Sequence, residues 1–306
     1  MKIVVTGNCQ VAVIENILSV VLPDAEVSSH AFPFLDFASF TEDVAAADVW
    51  LRQPASSGHQ ELDWLAPDGD DAGRYSLPMT EAKVIAIPRI TFAGFHPDIV
   101  YAKLRTGDVM RGVSDYHSAV GLWAWRRGLT PLEFTRLMSP ELMDRLGYRQ
   151  FWSVAARLMA EEFSSTDVSF LPFWRAVKRQ GCFMHVLNHP SVRALASLVE
   201  GIIPLLPVRN NLDDTLESLR GATSVLGDPL ADVVRWPVYP HIAEALGIPG
   251  SYWWRIGESI FPGLREWAEA TWNAYGDVEP QDVICPRIDA DGVGAVLEGS
   301  LSTLHT

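Results

Sequence analysis

The fold of this chain follows from its start, Lys2-Ile3-Val4-Val5-Thr6-Gly7-Asn8-Cys9-Gln10, which leads directly into Val11–Val21. The first residues are apolar and β-branched and predict a short buried strand, and the run from Val11 has the apolar spacing of a helix. The four residues between them predict a tight turn. A cysteine in such a turn is exposed, and the helix N-terminus stabilises its thiolate. The pattern therefore predicts a reactive group at Cys9.

Strands and helices alternate over the first hundred residues. The pattern predicts strands at Glu26–Ser29, Asp48–Leu51 and Val84–Ile87, and a helix at Phe37–Ala46. Short apolar strands separated by helices are typical of a parallel sheet with crossover connections. We therefore predict an α/β fold with a mostly parallel sheet and flanking helices.

The middle of the chain, residues 107–180, has helical spacing and predicts a helical cap inserted into a single domain of residues 1–306. The predicted cap helices are Tyr116–Arg127, Pro131–Met138, Pro140–Leu146, Arg149–Phe163 and Asp167–Gln180. A strand at Cys182–Leu187 is assigned to the same sheet. The later predicted helices are Ser191–Gly201, Asp228–Val233, Pro240–Leu246 and Gly263–Tyr275, and Asp68–Gly73 is predicted as a surface loop.

Composition limits the classes of function. The net charge of −14, from 24 basic and 38 acidic residues, argues against a general nucleic-acid or anionic-membrane surface. Three cysteines are too few for a disulfide framework and indicate a reducing compartment. Neither a signal peptide nor an apolar run long enough for a bilayer is found, so we expect a cytoplasmic location. The composition leaves the oligomeric state open, a homo-oligomer included.

Polar residues follow several predicted strands at the points where they end. Because the carboxyl ends of parallel strands share one edge, Cys9, Gln53, Arg89, His96 and His189 are predicted to meet there. Cysteine with histidine is a combination typical of nucleophilic catalysis. The edge is therefore the predicted active site.

Each candidate also has a structural alternative. Cys9 is the predicted nucleophile, or else a small residue in a turn whose backbone groups Asn8 and Gln10 satisfy. His189 is the predicted base, or else part of a helix start. His96 is a second candidate base, or else a loop histidine packed under the cap. No spacing of histidine and cysteine predicts a metal site.

Other residues are assigned by their place before helices. Asp98 is predicted to start a helix, and Ser114 to cap the helix that includes Tyr116 and His117. Tyr116 and His117 are also candidates for contact with a substrate or cofactor. A set of basic residues either binds phosphates or forms solvated helix faces: Arg89, Arg111, Arg149, Arg175, Lys178 and Arg179.

An ordered set of short motifs resembles the WcbI family. The motifs are Gly7-Asn8-Cys9-Gln10, Gln53-Pro54, Phe95-His96-Pro97-Asp98, Ser114-Asp115-Tyr116-His117-Ser118, Asn188-His189-Pro190 and Val238-Tyr239-Pro240-His241-Ile242-Ala243. These bacterial capsule polysaccharide biosynthesis proteins are regarded as acetyltransferases that bind coenzyme A. The resemblance implies a Cys/His site and coenzyme A or acetyl-CoA as a substrate. The residues we assign to coenzyme A are Asn8, Gln10, Gln53, Arg89, Tyr116 and His117.

The layout is also similar to that of SGNH hydrolases, with Cys9 in place of the serine. The aspartate that precedes the late histidine in those hydrolases is absent before His189. Three functions follow as hypotheses. The first is an acyltransferase from acetyl-CoA to a sugar hydroxyl, the second an esterase or deacetylase acting on glycans, and the third a non-catalytic nucleotide- or glycan-binding protein.

Overall fold

The fold is described from a computed structural model, which describes residues 1–32, 34–54, 78, 80–207, 212–290 and 292–304. The predicted surface loop Asp68–Gly73 lies outside the described residues. Strands are labelled β and helices α in chain order.

A parallel sheet opens the chain, as the sequence predicts. Its strands and helices are β1 (Lys2–Gly7), α1 (Val11–Val21), β2 (Glu26–Ala31), α2 (Phe37–Ala45), β3 (Val49–Arg52) and β4 (Lys83–Ala86). The four strands are ordered β2-β1-β3-β4, and each neighbouring pair is parallel. The predicted α/β class is confirmed.

The central strand β1 is covered on both faces. Ile3 and Val5 alternate with Val4 along the strand, and all three are fully buried. Val4 packs in a cluster with Phe40 and Trp50, and the Trp50 indole donates a hydrogen bond to Thr6 Oγ1 at 2.9 Å. Burying an aliphatic side chain of this size stabilises the fold by about 1.5–3 kcal/mol. The apolar run in the sequence is thus what places β1 inside the sheet.

The chain continues mainly with helices. The next elements are β5 (Ile99–Val100), β6 (Lys103–Leu104), β7 (His117–Ser118), α3 (Ala119–Arg126), α4 (Pro131–Leu137), α5 (Pro140–Arg145), α6 (Phe151–Ser164), α7 (Phe170–Val177), β8 (Met184–Val186), β9 (His189–Pro190), α8 (Val192–Ile202), the 3-10 turn Ile203–Leu205, α9 (Leu212–Ala222) and α10 (Pro229–Val233). The elements after α10 are β10 (Val234–Arg235), α11 (Pro240–Leu246), β11 (Trp254–Ile256), β12 (Ser259–Phe261), α12 (Leu264–Tyr275), the 3-10 turn Pro280–Asp282, β13 (Val283–Ile284), α13 (Pro286–Asp289) and α14 (Val293–Leu304). Small antiparallel pairings join β5 to β7, β6 to β13, β8 to β9, β10 to β11, and β11 to β12.

The chain divides into two compact units. The first comprises the described residues of Met1–Gly58, Asp70–Thr91 and Arg157–Ala231, and the second those of Phe92–Ala156 and Asp232–Thr306. The predicted helical segment 107–180 is divided between them at residue 157. That this segment acts as a cap stays a prediction. Within the part of the chain that the structure describes, every helix is too short or too polar to cross a bilayer.

Several helix starts follow the capping rules used for the prediction. Pro131 and Pro140 occupy first-turn positions, and Thr130 and Glu133 form a reciprocal capping box. Ser139 Oγ accepts a hydrogen bond from the Leu142 N–H at 3.2 Å. The prediction of Ser139 as an N-cap is confirmed.

Two predicted helix starts are wrong. The helix assigned from Tyr116 begins at Ala119, because His117–Ser118 pairs as a strand with Ile99–Val100. Ser118 is its N-cap and accepts from the Gly121 N–H at 2.8 Å. The same pairing makes the residues after Asp98 a strand, so Asp98 does not start a helix.

The strand predicted at Cys182–Leu187 also differs from the prediction. The residues that do form a strand, β8, pair with β9 in an antiparallel hairpin rather than with the parallel sheet. The chain reverses direction around Leu187 and Asn188, so β8 pairs with β9, the strand that follows it directly in the sequence. Periodicity alone does not reveal which partner a strand takes.

Candidate functional site

Cys9 lies in the turn between β1 and α1, and its side chain is exposed. The Val11 N–H donates to the Asn8 carbonyl at 3.1 Å, and the Gln10 N–H donates to Asn8 Oδ1 at 3.0 Å. Asn8 therefore shapes the turn through both its backbone and its side chain. The predicted position of Cys9, exposed at the head of a helix and at the carboxyl end of β1, is confirmed.

Gln53, which follows β3, holds the Cys9 turn by a hydrogen bond to the backbone of Asn8. Its side chain is fully buried; Oε1 accepts from the Asn8 N–H at 2.9 Å, and Nε2 donates to the Pro88 carbonyl at 3.3 Å. A side chain at Gly7 has no room, because a Cβ there would lie 2.1 Å from Gln53 Oε1. Glycine at position 7 is thus required by the close approach of Gln53.

Gln10 is fully buried as well and joins three segments. Its Nε2 donates to the carbonyls of Ile90 and Asn188, each at 2.9 Å, and its Oε1 accepts from the Ile90 N–H at 3.1 Å. Together the two glutamine side chains fix the Cys9 turn to the segments after β3 and β4 and to the β8–β9 hairpin. The geometry supports a positioning role for both, and their contact with coenzyme A stays a prediction.

The environment of Cys9 does not favour a thiolate in the resting protein. Desolvation by the surrounding protein raises the pKa of the exposed Cys9 thiol to about 11, and the opposing hydrogen bond from its own backbone amide is weaker. The predicted lowering of this pKa is wrong. The turn precedes the first residue of α1, but desolvation is the largest effect on this pKa.

Arg89 follows β4 and is held by an acid. Its backbone N–H and its Nε both approach Glu162 Oε1, at 3.3 and 3.4 Å, and 28% of its side chain is exposed. Glu162 lies on α6 and is buried. The ion pair fixes the guanidinium, and the contact of Arg89 with coenzyme A stays a prediction.

His189 lies in β9 and is buried. Burial lowers its pKa to about 4, the nearby His185 lowers it further, and a backbone hydrogen bond at Leu230 opposes both. The alternative that His189 caps the next helix is wrong, because Ser191 caps α8 by accepting from the Ala194 N–H at 3.2 Å. A neutral imidazole with so low a pKa is a weak base.

A histidine–aspartate pair lies beside His189 and was missed by the sequence analysis. His185 Nε2 lies 2.8 Å from Asp228 Oδ2, and the two side chains are 17% and 23% exposed. Desolvation acts to raise the pKa of Asp228, but the hydrogen bond and charge of His185, together with the backbone N–H groups of Val192 and Ala231, lower this pKa overall. Asp228 precedes Pro229 and looks in sequence like an ordinary helix start, so only the fold reveals its partner.

The other predicted site residues belong to the second unit. His96 is buried and its Nε2 lies 3.0 Å from the Trp236 carbonyl. His117 is fully buried, with Nε2 3.0 Å from the Met110 carbonyl and Nδ1 2.9 Å from the Tyr275 hydroxyl. A carbonyl only accepts, so Nε2 of His117 carries the proton and Nδ1 accepts.

Burial sets the properties of these residues too. Desolvation lowers the pKa of His117 to about 4, so its ring is neutral near pH 7. Tyr116 is buried and packs against Tyr101 at a ring separation of 5.2 Å. These contacts support structural roles for Tyr116 and His117, and their contact with a ligand stays a prediction.

Asp98, set aside in the sequence as a helix start, is the centre of a buried network. Its carboxylate accepts from the Tyr148 hydroxyl at 2.7 Å, the Tyr239 hydroxyl at 3.0 Å and the Val120 N–H at 3.2 Å, and it also accepts from Ser118. Burial raises the pKa of Asp98 against these hydrogen bonds, which lower it. The signal in the sequence was an acid flanked by apolar residues on both sides.

The other basic candidates are exposed, and two of them form ion pairs. Arg111 pairs with Asp115 at 3.2 Å and Arg149 with Asp144 at 3.1 Å, and all four side chains are well exposed. Such pairs contribute little to stability. Among the described residues, no group of three or more His, Cys, Asp or Glu side chains is placed to hold a metal ion.

The first unit, taken by itself, has the features of the α/β enzymes that bind ligands at the carboxyl ends of parallel strands. The family model "Polysaccharide biosynthesis enzyme WcbI" matches residues 2–211, which is more than half of the chain. The chain belongs to the WcbI family, and the predicted resemblance is confirmed. Its members are described as enzymes of polysaccharide biosynthesis.

A solved structure has the same fold over nearly the whole length. It is described as WcbI, a novel polysaccharide biosynthesis enzyme, in its native form without a disulfide bond between coenzyme A and a cysteine. The two chains superpose with a TM-score of 0.69 at 16% sequence identity, and the match covers 98% of each. No curated protein sequence matches this chain at a significant level.

Proposed function

We propose that this protein is a coenzyme A-dependent acyltransferase that moves an acyl group, acetyl in the simplest case, to a sugar hydroxyl during capsule polysaccharide synthesis. The observation that carries the proposal is the exposed Cys9 at the head of α1, on a turn fixed by the buried Gln10 and Gln53. The family's role in polysaccharide biosynthesis supports it. So does the description of the related structure, which names coenzyme A and a cysteine of that protein as the two partners of a disulfide bond that is absent there.

The residues around the turn fit the thioester end of such a substrate. Cys9 is exposed, so a second sulfur can approach it. The N-terminus of α1 carries a partial positive charge. This charge favours the oxyanion that forms when a thioester carbonyl is attacked. The N–H groups of Asn8, Gln10 and Val11 already donate hydrogen bonds inside the protein, so the Cys9 N–H is the donor proposed for the oxyanion. We propose that the partly exposed Arg89 pairs with a phosphate of coenzyme A.

The chemistry is an acyl exchange between sulfur and oxygen. A base removes the proton from the sugar hydroxyl, and its oxygen attacks the thioester carbonyl carbon. The Cys9 N–H stabilises the oxyanion, the carbon–sulfur bond breaks, and the thiol leaves with a proton from the same base. His189 and His96 are the bases proposed from the sequence.

The protonation state of Cys9 bears on the route. With a pKa of about 11, about one thiol in ten thousand is ionised at pH 7. A neutral thiol is a poor nucleophile, so we propose direct attack by the sugar oxygen, with Cys9 lining the site. An acyl-enzyme on Cys9 is the competing route.

The test follows the acetyl group. The protein is incubated with labelled acetyl-CoA and a panel of hexoses, hexosamines and uronic acids, and products are identified by mass spectrometry. We expect acetylated sugar, reduced about tenfold in Cys9→Ala and unchanged in Cys182→Ala, whose cysteine is also exposed. Loss of all activity in Cys9→Ala supports the acyl-enzyme route.

Two outcomes contradict the proposal. Release of free acetate at the same rate with and without sugars indicates a hydrolase. Its natural substrate would then be an acetylated glycan, as for an esterase or deacetylase, and acetyl-CoA would be hydrolysed in its place. Neither acetylated sugar nor free acetate, with binding retained, indicates a non-catalytic nucleotide- or glycan-binding protein.

A further inference from the structure

His185 is held by a carboxylate in the first unit. It lies in the middle of β8, and its Nε2 is 2.8 Å from Asp228 Oδ2. The same carboxylate oxygen accepts from the Val192 N–H, the first residue of α8, at 3.1 Å. Asp228 therefore ties the hairpin strand to the start of the following helix.

The contact fixes the tautomer of His185. A carboxylate with a lowered pKa only accepts, so Nε2 carries the proton and Nδ1 bears the lone pair. Nδ1 makes no hydrogen bond to any residue that the structure describes. His185 thus has the two features of an acid–base histidine, an orienting carboxylate on one nitrogen and an available lone pair on the other.

The hairpin that carries His185 is bonded to the Cys9 turn. Gln10, the residue after Cys9, donates from its side chain to the Asn188 carbonyl at 2.9 Å. His185 precedes Asn188 by three residues, so their Cα atoms are at most about 11 Å apart. One hydrogen bond and a short piece of chain therefore connect Cys9 to the histidine–aspartate pair.

His189 is less suited to the same task. Burial and the neighbouring His185 lower its pKa to about 4. An imidazole with so low a pKa takes a proton weakly. Both histidines lie on this hairpin, and Asp228 orients His185.

We propose that His185 is the proton acceptor for acyl transfer at the Cys9 turn and that Asp228 is its positioning residue. The inference rests on the proposed function and replaces His189 as the base. Nδ1 of His185 takes the proton of the attacking hydroxyl while the oxygen–carbon bond forms. The carbon–sulfur bond then breaks, and His185 returns the proton to the leaving thiolate of coenzyme A. The Asp228 carboxylate stabilises the imidazolium in between.

The test uses acetyl-CoA with water as the acceptor, since water needs the same deprotonation, and measures thiol release from pH 5 to 9. We expect His185→Gln to lower kcat about 100-fold with KM unchanged, within the usual contribution of a general base. Asp228→Asn lowers kcat about tenfold and moves the acid limb of the pH profile to lower pH, because the imidazolium formed in the reaction loses the carboxylate that stabilises it.

A second histidine–aspartate pair of the same unit serves as the matched control. His30 Nε2 lies 2.9 Å from Asp43 Oδ2, on β2 and α2. His30→Gln and Asp43→Asn are expected to leave kcat within twofold. If His185→Gln does not fold, the acid-limb shift in Asp228→Asn decides the question, since a structural role alone does not move that limb.

Binding of acetyl-CoA, measured by calorimetry, separates this inference from the proposed function. If the wild-type protein turns over acetyl-CoA and His185→Gln does so at the same rate, the inference about His185 is overturned. The proposed function is not affected by that result. If turnover of acetyl-CoA is lost in His189→Gln and retained in His185→Gln, His189 is the proton acceptor. A wild-type protein that neither binds nor cleaves acetyl-CoA overturns both.

Discussion

The side-chain amide of Gln10 donates a hydrogen bond to the carbonyl of Asn188 at 2.9 Å, although 178 residues of sequence separate them. This contact joins the turn after the first strand to a hairpin late in the chain. It holds the hairpin that carries His185 and His189 against the turn that carries Cys9.

The first prediction concerns that contact. Gln10→Leu keeps the volume of the side chain but leaves the Ile90 N–H and the carbonyls of Ile90 and Asn188 without their partner. An unpaired buried polar group costs about 1–3 kcal/mol, so we expect the free energy of unfolding to fall by about 2–4 kcal/mol. Urea unfolding measures it. Gln281→Leu, at an exposed position, is the control; a loss below 1 kcal/mol at Gln10 contradicts the account.

The second prediction concerns the space at Gly7. Gly7→Ala places a methyl group 2.1 Å from Gln53 Oε1, so the Gln53 side chain must move and release the Asn8 N–H. We expect a lower melting temperature and weaker coenzyme A binding, both by calorimetry. Gly221→Ala, on α9 with nothing within 4 Å of the new methyl group, is the control and is neutral or stabilising. Equal behaviour of the two variants refutes the crowding argument.

The third prediction concerns the acidity of Cys9. Because desolvation raises its pKa to about 11, the rate of labelling by iodoacetamide rises with pH through pH 9 without a plateau near neutrality. The rate is followed by peptide mass spectrometry in the protein without ligand. A labelling rate that reaches a plateau, with a midpoint near pH 7, contradicts this prediction. It means that a nearby cation or the helix N-terminus lowers the pKa of Cys9 more than desolvation raises it, and it favours the route through an acyl-enzyme on Cys9.

The sequence was sufficient for the elements made by local signals. The apolar run of β1, the spacing of α1 and the prolines and hydroxyls at the starts of α4 and α5 each act over a few residues. The position of Cys9 followed from them, because a strand followed directly by a helix leaves one turn between.

Long-range partners were not predictable in the same way. Glutamines at positions 10 and 53 look like surface residues in sequence, and only the fold shows that both are buried and bonded to backbone groups far along the chain. Asp98 and Asp228 both precede or follow proline and were assigned to helix starts. Their actual partners, Tyr148 and His185, lie tens of residues away.

The fourth prediction concerns Asp98 and pH. In Asp98→Asn an amide NH₂ replaces one accepting oxygen and faces donors, so we expect a loss of about 2–4 kcal/mol of stability near pH 5. Burial raises the pKa of Asp98, so the native state holds its proton more tightly than the unfolded chain. The advantage of wild type over the variant is therefore largest below the unfolded pKa and shrinks as pH rises through the folded pKa.

Urea unfolding of both proteins from pH 4 to 8 measures that difference. Ser114→Ala, a substitution outside the network, controls for general pH effects. A wild-type advantage that grows with pH contradicts a raised pKa at Asp98.

The central claim is that the Cys9 turn receives the thiol end of coenzyme A. Coenzyme A disulfide tests it directly, because a cysteine thiolate that attacks it forms a mixed disulfide and releases one coenzyme A thiol. Cys182 is the internal control, since it is exposed and its pKa is likewise raised to about 11. The account predicts that coenzyme A disulfide modifies Cys9 at least tenfold faster than Cys182, while glutathione disulfide modifies the two at similar rates. Equal rates at both cysteines with coenzyme A disulfide contradict it.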